Sequence, residues 1–181
     1  MEKVTTCFEG LFTYSNTSYS DDRGNLTETL NQEVLEWLPR DTSFCHEITS
    51  FSKKNSLRGL HYQLKKPQGK LLTVLRGKVF DVALDCRKNS KTFGKYYSCI
   101  LSESNATSIF IPPGFAHGFQ ALAKENYVTY SCTKYRHSKS EIAIKFNDED
   151  LGIKWPSRKI IISQKDQKAI SFNEFKKIIL K

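Results

Sequence analysis

The chain has 181 residues, of which 39% are hydrophobic, 26% charged and 12% aromatic; this is a globular composition with enough apolar side chains to bury a core in one domain. Those figures exclude a disordered, collagen-like or transmembrane protein. Twenty-eight Lys and Arg against nineteen Asp and Glu leave a net charge of +9, which favours anionic partners without choosing among nucleic acids, membranes and phosphorylated metabolites.

The first sixteen residues hold no basic run followed by an apolar stretch and a small-residue cleavage site. No secretory signal is read there, and the cytosol is the expected compartment. Residues 31–38, NQEVLEWL, read as a helix stopped by Pro39. Between residues 70 and 147 the text becomes a succession of short apolar or alternating segments: KLLTVLRG, KVFDVALDC, KYYSCIL, TSIFIPP, GFQAL, NYVTYSCT and EIAIKF. Their separators carry turn residues and are too short for helical crossovers, so the strands are antiparallel and close into a sandwich or barrel. On NYVTYSCT, Tyr130 shares a face with Val128 and Cys132 and points into the barrel. In VFDVALD, Asp81 and Asp85 share a face. Two readings stay open for them: one pairs inside the barrel with Lys70 or an arginine, or both are solvated outside. Residues 171–180 open with Ser171-x-x-Glu174, a capping box, and put Phe172, Phe175, Ile178 and Ile179 on one stripe of a last helix.

Cys7, Cys45, Cys86, Cys99 and Cys132 are odd in number and none is spaced C-x-x-C; they are expected as reduced core thiols. Basic residues are scattered, with no Lys/Arg-dense helix or aromatic-basic platform, so neither nucleic acid nor membrane is an expected partner. His137, between Arg136 and Lys139, reads as a surface residue.

Two stretches carry chemistry. Pro112-x-Gly114-x-x-His117 builds a tight turn that aims a histidine inward, and His61-x-Gln63 is followed by Lys70 and Gly77. Both resemble the paired histidine motifs of cupins, small jelly-roll barrels that often hold a metal. In those motifs H-x-H and a glutamate supply the ligands, whereas here the second histidine is Gln63 and the carboxylate is Lys70. A protonated ammonium cannot ligate a metal, so no metal is expected; a fixed cation in that cavity would instead stabilise an enolate.

The longer pattern is more specific. SLRGLHYQ, the run PQGKLLTVLRGKVFDVALDCRKNSKTFGKY, LSESN, IPPGFAHGF and FNDEDLGIKWP occur in order and resemble the dTDP-4-dehydrorhamnose 3,5-epimerase family over residues 22–166. That resemblance implies an all-β, cupin-type antiparallel jelly-roll barrel with short flanking helices, one domain spanning residues 1–181. It implies a homodimer with residues 1–50 at its interface, no cofactor, and a nucleotide-diphosphate sugar as substrate, converted without net redox change on the way to a surface polysaccharide. It further implies His61 as general base, Asp166 as its partner carboxylate, Lys70 near the sugar ketone and Tyr130 as the acid on the opposite face. Arg23, Glu28, Arg58, His117, Glu141 and Lys165 match ligand positions around the diphosphate and sugar, and Tyr135 matches an aromatic that stacks on the nucleobase. Asp166 also reads simply as the acidic start of the last helix.

Two departures bear on substrate. Asn25 follows Asp21-Asp22-Arg23-Gly24 where the family shows an aromatic, and His46-Glu47-Ile48 stands where the family reads Q-D-N, whose amides meet the substrate; His46 is thereby a candidate contact. A CDP- or GDP-linked sugar, or epimerisation at one carbon only, is therefore a live alternative. A metal-dependent cupin oxygenase and a non-catalytic nucleotide-sugar-binding cupin are the competing classes; Lys70 argues against the first, and the full acid-base set against the second.

Overall fold

The computed structural model describes residues 1–180. Strands β1 (Glu2–Thr5) and β2 (Phe12–Ser15) lead into a hairpin, β3 (Thr17–Asp21) and β4 (Gly24–Glu28), and then helix α1 (Gln32–Trp37). There follow β5 (His46–Lys53), β6 (Leu57–Gln63), β7 (Lys70–Arg76), β8 (Lys78–Asp85), β9 (Tyr96–Ser102), β10 (Thr107–Ile111), β11 (Phe115–Ala121) and β12 (Glu125–Cys132). Then come β13 (Glu141–Ala143), α2 (Gln164–Gln167) and α3 (Phe172–Ile179). A six-stranded sheet, β1-β2-β10-β7-β12-β5, faces a five-stranded one, β13-β6-β11-β8-β9, while β3 and β4 pair only with each other. The antiparallel, non-sequential order is that of the expected jelly-roll barrel.

Alternation along the strands builds the layers. Leu72, Val74, Ile109, Ile111 and Val128 from the six-stranded sheet meet Val79, Ala83, Leu101, Phe115 and Phe119 from the other in the central core. The alternate residues of β8, Phe80, Val82 and Leu84, face outward and are covered by the carboxy-terminal segment through Leu151, Phe172 and Phe175. The outer face of the six-stranded sheet is capped at Phe12, Tyr14, Leu71 and Phe110 by Val34, Trp37 and Leu38.

Both expected helices lie outside the barrel. Asn31 Oδ1 caps α1 by accepting from the Val34 amide, and the helix stops before Pro39. In α3 the Ser171–Glu174 capping box is formed, and Phe172 and Phe175 are buried. Ile178 is not part of that stripe: the helical rotation carries it past the edge and leaves it exposed, while Ile179 packs inward. Strands β5 and β6, before residue 70, and the one-turn helix α2 had no clear periodic signal. No helix among the described residues is long and apolar enough to cross a membrane.

Three expectations change. Cys7 and Cys45 are exposed rather than core thiols, although all five cysteines are free. Asp81 and Asp85 are both buried, so the outward, solvated reading fails. Neither pairs with Lys70. Asp81 meets His117, and Asp85 takes Arg87 in a two-pronged pair, Nε to Oδ1 at 2.9 Å and Nη2 to Oδ2 at 2.7 Å.

The hydroxyls of Ser90 and Thr92 donate to the same Oδ2 atom of Asp85, at 2.6 Å each, so this carboxylate organises the β8–β9 connection. Burial alone would raise its pKa, but these donors bring it down from 3.8 to about 2. A depressed carboxylate contributes stability that is fully present above its ordinary value and is lost as pH falls toward the folded one. Asp85→Asn should therefore cost about 2 kcal/mol or more at pH 7. Urea unfolding of both proteins across pH 7 to 2 should show that gap narrowing below about pH 4; a gap independent of pH would exclude an ionised Asp85 as its source.

Candidate active site

The site rests on a close backbone approach. A Cβ on Gly59 would lie 2.5 Å from the His117 carbonyl and 2.6 Å from Gly118 Cα, and one on Gly118 would lie 2.6 Å from the Arg58 carbonyl. Gly59 also has φ +110, a conformation that L side chains rarely adopt. These two glycines let β6 and β11 run unusually near each other, with His61 directly opposite His117 in the ladder. R-G-L-H and H-G-F are thus two halves of one local structure.

The histidines are part of the wall of a cavity of about 540 Å³. His61 Nε2 donates to Asp166 Oδ1 at 2.6 Å, and His117 Nε2 donates to Asp81 Oδ2 at 2.8 Å. Two imidazole–carboxylate pairs therefore stand side by side, each leaving Nδ1 as the unprotonated nitrogen when the ring is neutral. Asp166 sits in α2, a separate turn before the last helix, where the Ser163 hydroxyl accepts from its amide. Burial would raise the Asp166 carboxyl, but the hydrogen bond and charge of His61, with Ser163 and the Gly59 amide, hold it below the ordinary carboxylate range. Burial dominates for His117 and lowers it despite Asp81, with Lys70 and His61 adding to the effect, so this ring stays neutral.

Lys70 and Tyr130 come from the opposite sheet. Lys70 is the cross-strand partner of Cys132, two positions along β12 from Tyr130. Burial lowers the Lys70 pKa, opposed by Cys132, Glu141 and Asp81, and the ammonium has no ion-pair partner among the described residues. Tyr130 faces inward with Val128 and Cys132 as its alternation requires, its ring edge-on to His117 at 6.1 Å. Burial raises its phenol well above the ordinary value, partly offset by Ser50, whose hydroxyl lies 3.4 Å away.

At the mouth, Arg58 donates through Nε to the Ser52 hydroxyl and through Nη2 to the Phe51 carbonyl, both at 2.9 Å. Glu141 is clasped by Arg136, with Nε at 2.7 Å and Nη2 at 3.2 Å, and by the Lys165 ammonium. Burial acts upward on its carboxyl, but the two cations bring it down to about 2.

Seven of the twelve expected site residues, His61, Tyr130, Lys70, Asp166, Arg58, His117 and Glu141, line this one cavity, and Lys165 is tied to it through Glu141. His46 and Tyr135 lie outside the lining, their rings 5.5 Å apart. Arg23 and Glu28 are not brought to it. They belong to the β3–β4 hairpin, where Arg23 is 90% exposed and pairs with Asp21 and Glu28 accepts from Asn31. Sequence reasoning passed over Arg136 and Ser50; for Asp81 alternation along β8 left an inward pairing open, but with Lys70 or an arginine and not with His117 as the partner. Gln63 is not a cavity group. Its amide donates to the Lys66 and Tyr135 carbonyls and accepts from the His137 amide, tying two loops together.

A jelly-roll barrel with two histidine–carboxylate pairs on one sheet and a lysine and a tyrosine on the other is furnished to move protons, which places the chain among the cupin-type enzymes of acid–base chemistry. The family model described as dTDP-4-dehydrorhamnose 3,5-epimerase matches residues 5–174, and the chain belongs to that family. It is 42% identical to the enzyme of that name from Methanothermobacter thermautotrophicus over 91% of this chain and 90% of the relative. The Escherichia coli K12 enzyme is 39% identical over 96% of both. Among solved structures, a dTDP-6-deoxy-D-glucose-3,5-epimerase from Legionella pneumophila, in complex with dTDP-4-keto-L-rhamnose, superposes with a TM-score of 0.91 at 40% identity, covering 95% of this chain and 93% of that one.

Proposed function

We propose that this chain inverts C3 and C5 of a dTDP-linked 4-keto-6-deoxy sugar, turning the dTDP-4-dehydro-6-deoxyglucose type into the dTDP-4-dehydrorhamnose type, with His61, Asp166, Lys70 and Tyr130 as its acid–base set. It is an epimerase by family. The observation that carries the assignment of roles is that His61 and Tyr130 stand on opposite sheets of one cavity, so a sugar ring between them meets a base on one face and a phenol on the other. The relatives at about 40% identity are named for dTDP sugars and for both carbons, which disfavours a CDP- or GDP-linked sugar and a single inversion.

Carbons beside a ketone are acidic because the carbanion delocalises onto oxygen, and the reaction needs a base, a counter-charge and a donor on the far face. His61 Nδ1 takes the proton; the imidazolium so formed is held by Asp166, which also fixes the tautomer. The enolate oxygen meets the Lys70 ammonium, which has no carboxylate of its own. Tyr130 returns a proton from the other side, and its raised pKa keeps the phenol protonated until then. Proton removal and return leave the oxidation state unchanged, so the chemistry consumes no redox cofactor.

Incubation with dTDP-4-dehydro-6-deoxyglucose in deuterated water separates these roles. His61→Ala should abolish exchange at both carbons. Tyr130→Phe should retain exchange yet lose inversion, and equal loss of exchange in the two variants would remove Tyr130 as a distinct acid. Lys70→Met keeps the stem and removes the charge, so turnover should fall on the order of a hundredfold while substrate affinity barely changes; a pure affinity defect would take Lys70 off the catalytic set.

The protein acts as a homodimer in which the β3–β4 hairpin of one protomer delivers Arg23 and Glu28 to the cavity of the other. Support comes from the hairpin itself, which joins neither sheet and exposes Tyr19 and Leu26. A closed two-fold assembly is also the commonest solution for such an enzyme. Light scattering should give twice the chain mass, and mixing His61→Ala with Arg23→Ala protein should restore activity through one intact hybrid site. A fully active monomer would end this reading.

A further inference from the structure

The cavity's mouth presents two arginines that the acid–base chemistry does not use, Arg58 and Arg136. Arg136, on the loop after β12, is one of the residues that line the cavity, and its side chain is 56% exposed. Its present partner, Glu141, is nearly buried and is held a second time by Lys165. One carboxylate thus carries two cations, and it keeps a counter-charge if Arg136 leaves. The backbone around Arg136 is fixed independently of that ion pair: Gln63 takes the carbonyl of Tyr135 at 3.3 Å and the amide of His137 at 2.8 Å, and Gln68 takes the Lys134 carbonyl at 2.6 Å. The side chain is therefore the movable part of an anchored loop.

Of the three cations lining the cavity, Lys70 is half-buried whereas Arg58 and Arg136 are exposed, so the diphosphate of a nucleotide sugar whose ketone reaches Lys70 has the two arginines as its cations. Of the cations lining the cavity, Arg58 is bonded only to neutral oxygens and so already has charge to spare. One guanidinium fork matches one phosphate edge, and a diphosphate offers two. We infer that Arg136 is a substrate-binding residue that exchanges the carboxylate of Glu141 for the diphosphate of the sugar nucleotide, opposite Arg58. The inference rests on the nucleotide-sugar reading of the site and adds to it a residue and a partner exchange.

The test is calorimetric titration of full-length wild type, Arg136→Gln and Arg136→Lys with dTDP, dTMP and thymidine, after thermal melting has shown that the variants are folded. Losing a charged two-pronged contact should weaken dTDP by about tenfold or more, weaken dTMP less, and leave thymidine unchanged. Arg136→Lys retains the charge without the fork and should fall between, which keeps the test intact should the glutamine variant fold poorly. dTDP affinity within twofold of wild type in both variants would overturn the inference and leave Arg136 as a neutraliser of Glu141. Equal loss for dTDP and thymidine would also overturn it, because a bent loop, not a lost phosphate contact, would then be the cause. Wild-type protein that binds none of the three would refute the nucleotide-sugar reading itself and the inference with it.

Discussion

The contact between the backbones of β6 and β11 at Gly59 and Gly118 is the constraint from which the rest of the site follows. Side chains at either position would collide with the facing strand within 2.6 Å, so the two strands could not hold His61 and His117 opposite each other. With the histidines set in that register, Asp166 arrives from α2 behind one ring and Asp81 from β8 behind the other. A distance between main chains thus fixes the orientation of two imidazoles and the origin of both carboxylates. It also explains why glycine occurs next to a cavity-lining residue, Arg58 or His117, in each motif.

Charges inside a barrel are costly unless paired, and the cavity sorts its groups by that rule. Asp166, Glu141 and Asp81 each have a cationic or imidazole partner. Lys70 does not, and it lies on the sheet opposite the two histidines. An unpaired ammonium is poorly matched to an empty site and well matched to one in which a negative oxygen forms, which is the physical ground for the role proposed for Lys70. The neutral, buried His117 beside it avoids adding a second full positive charge.

Much of this could be read from the chain, for reasons that are physical. The period-two alternation between residues 70 and 132 reported the barrel because both faces of those strands are packed differently, and the Ser171 capping box and Pro39 stop marked two helices by chemistry local to their ends. β5 escaped because it is an edge strand in which Glu47, Ile48 and Thr49 are exposed in succession and Phe51 is exposed as well, so neither face alternates cleanly. The cavity set was legible only as ordered motifs: His61 and Asp166 are 105 residues apart, and no periodicity reports such a meeting. The role of Gln63 could not be read at all. Its neighbours in the motif suggested a cavity position, but its partners are carbonyls and an amide of two loops that sequence does not bring together.

That tie has an entropic side. Ordering a loop residue on binding costs about 1–2 kcal/mol of backbone entropy, a term that usually subtracts from affinity. By gripping the peptides on both sides of Arg136, the Gln63 amide moves that cost from the moment of binding to the moment of folding. The loop bearing the exposed Tyr135 and Arg136 is then ordered before any ligand arrives, and only side-chain rotamers remain to be restricted. A position that in the resembling metal cupins holds an ion has become, in this chain, a device for preorganisation.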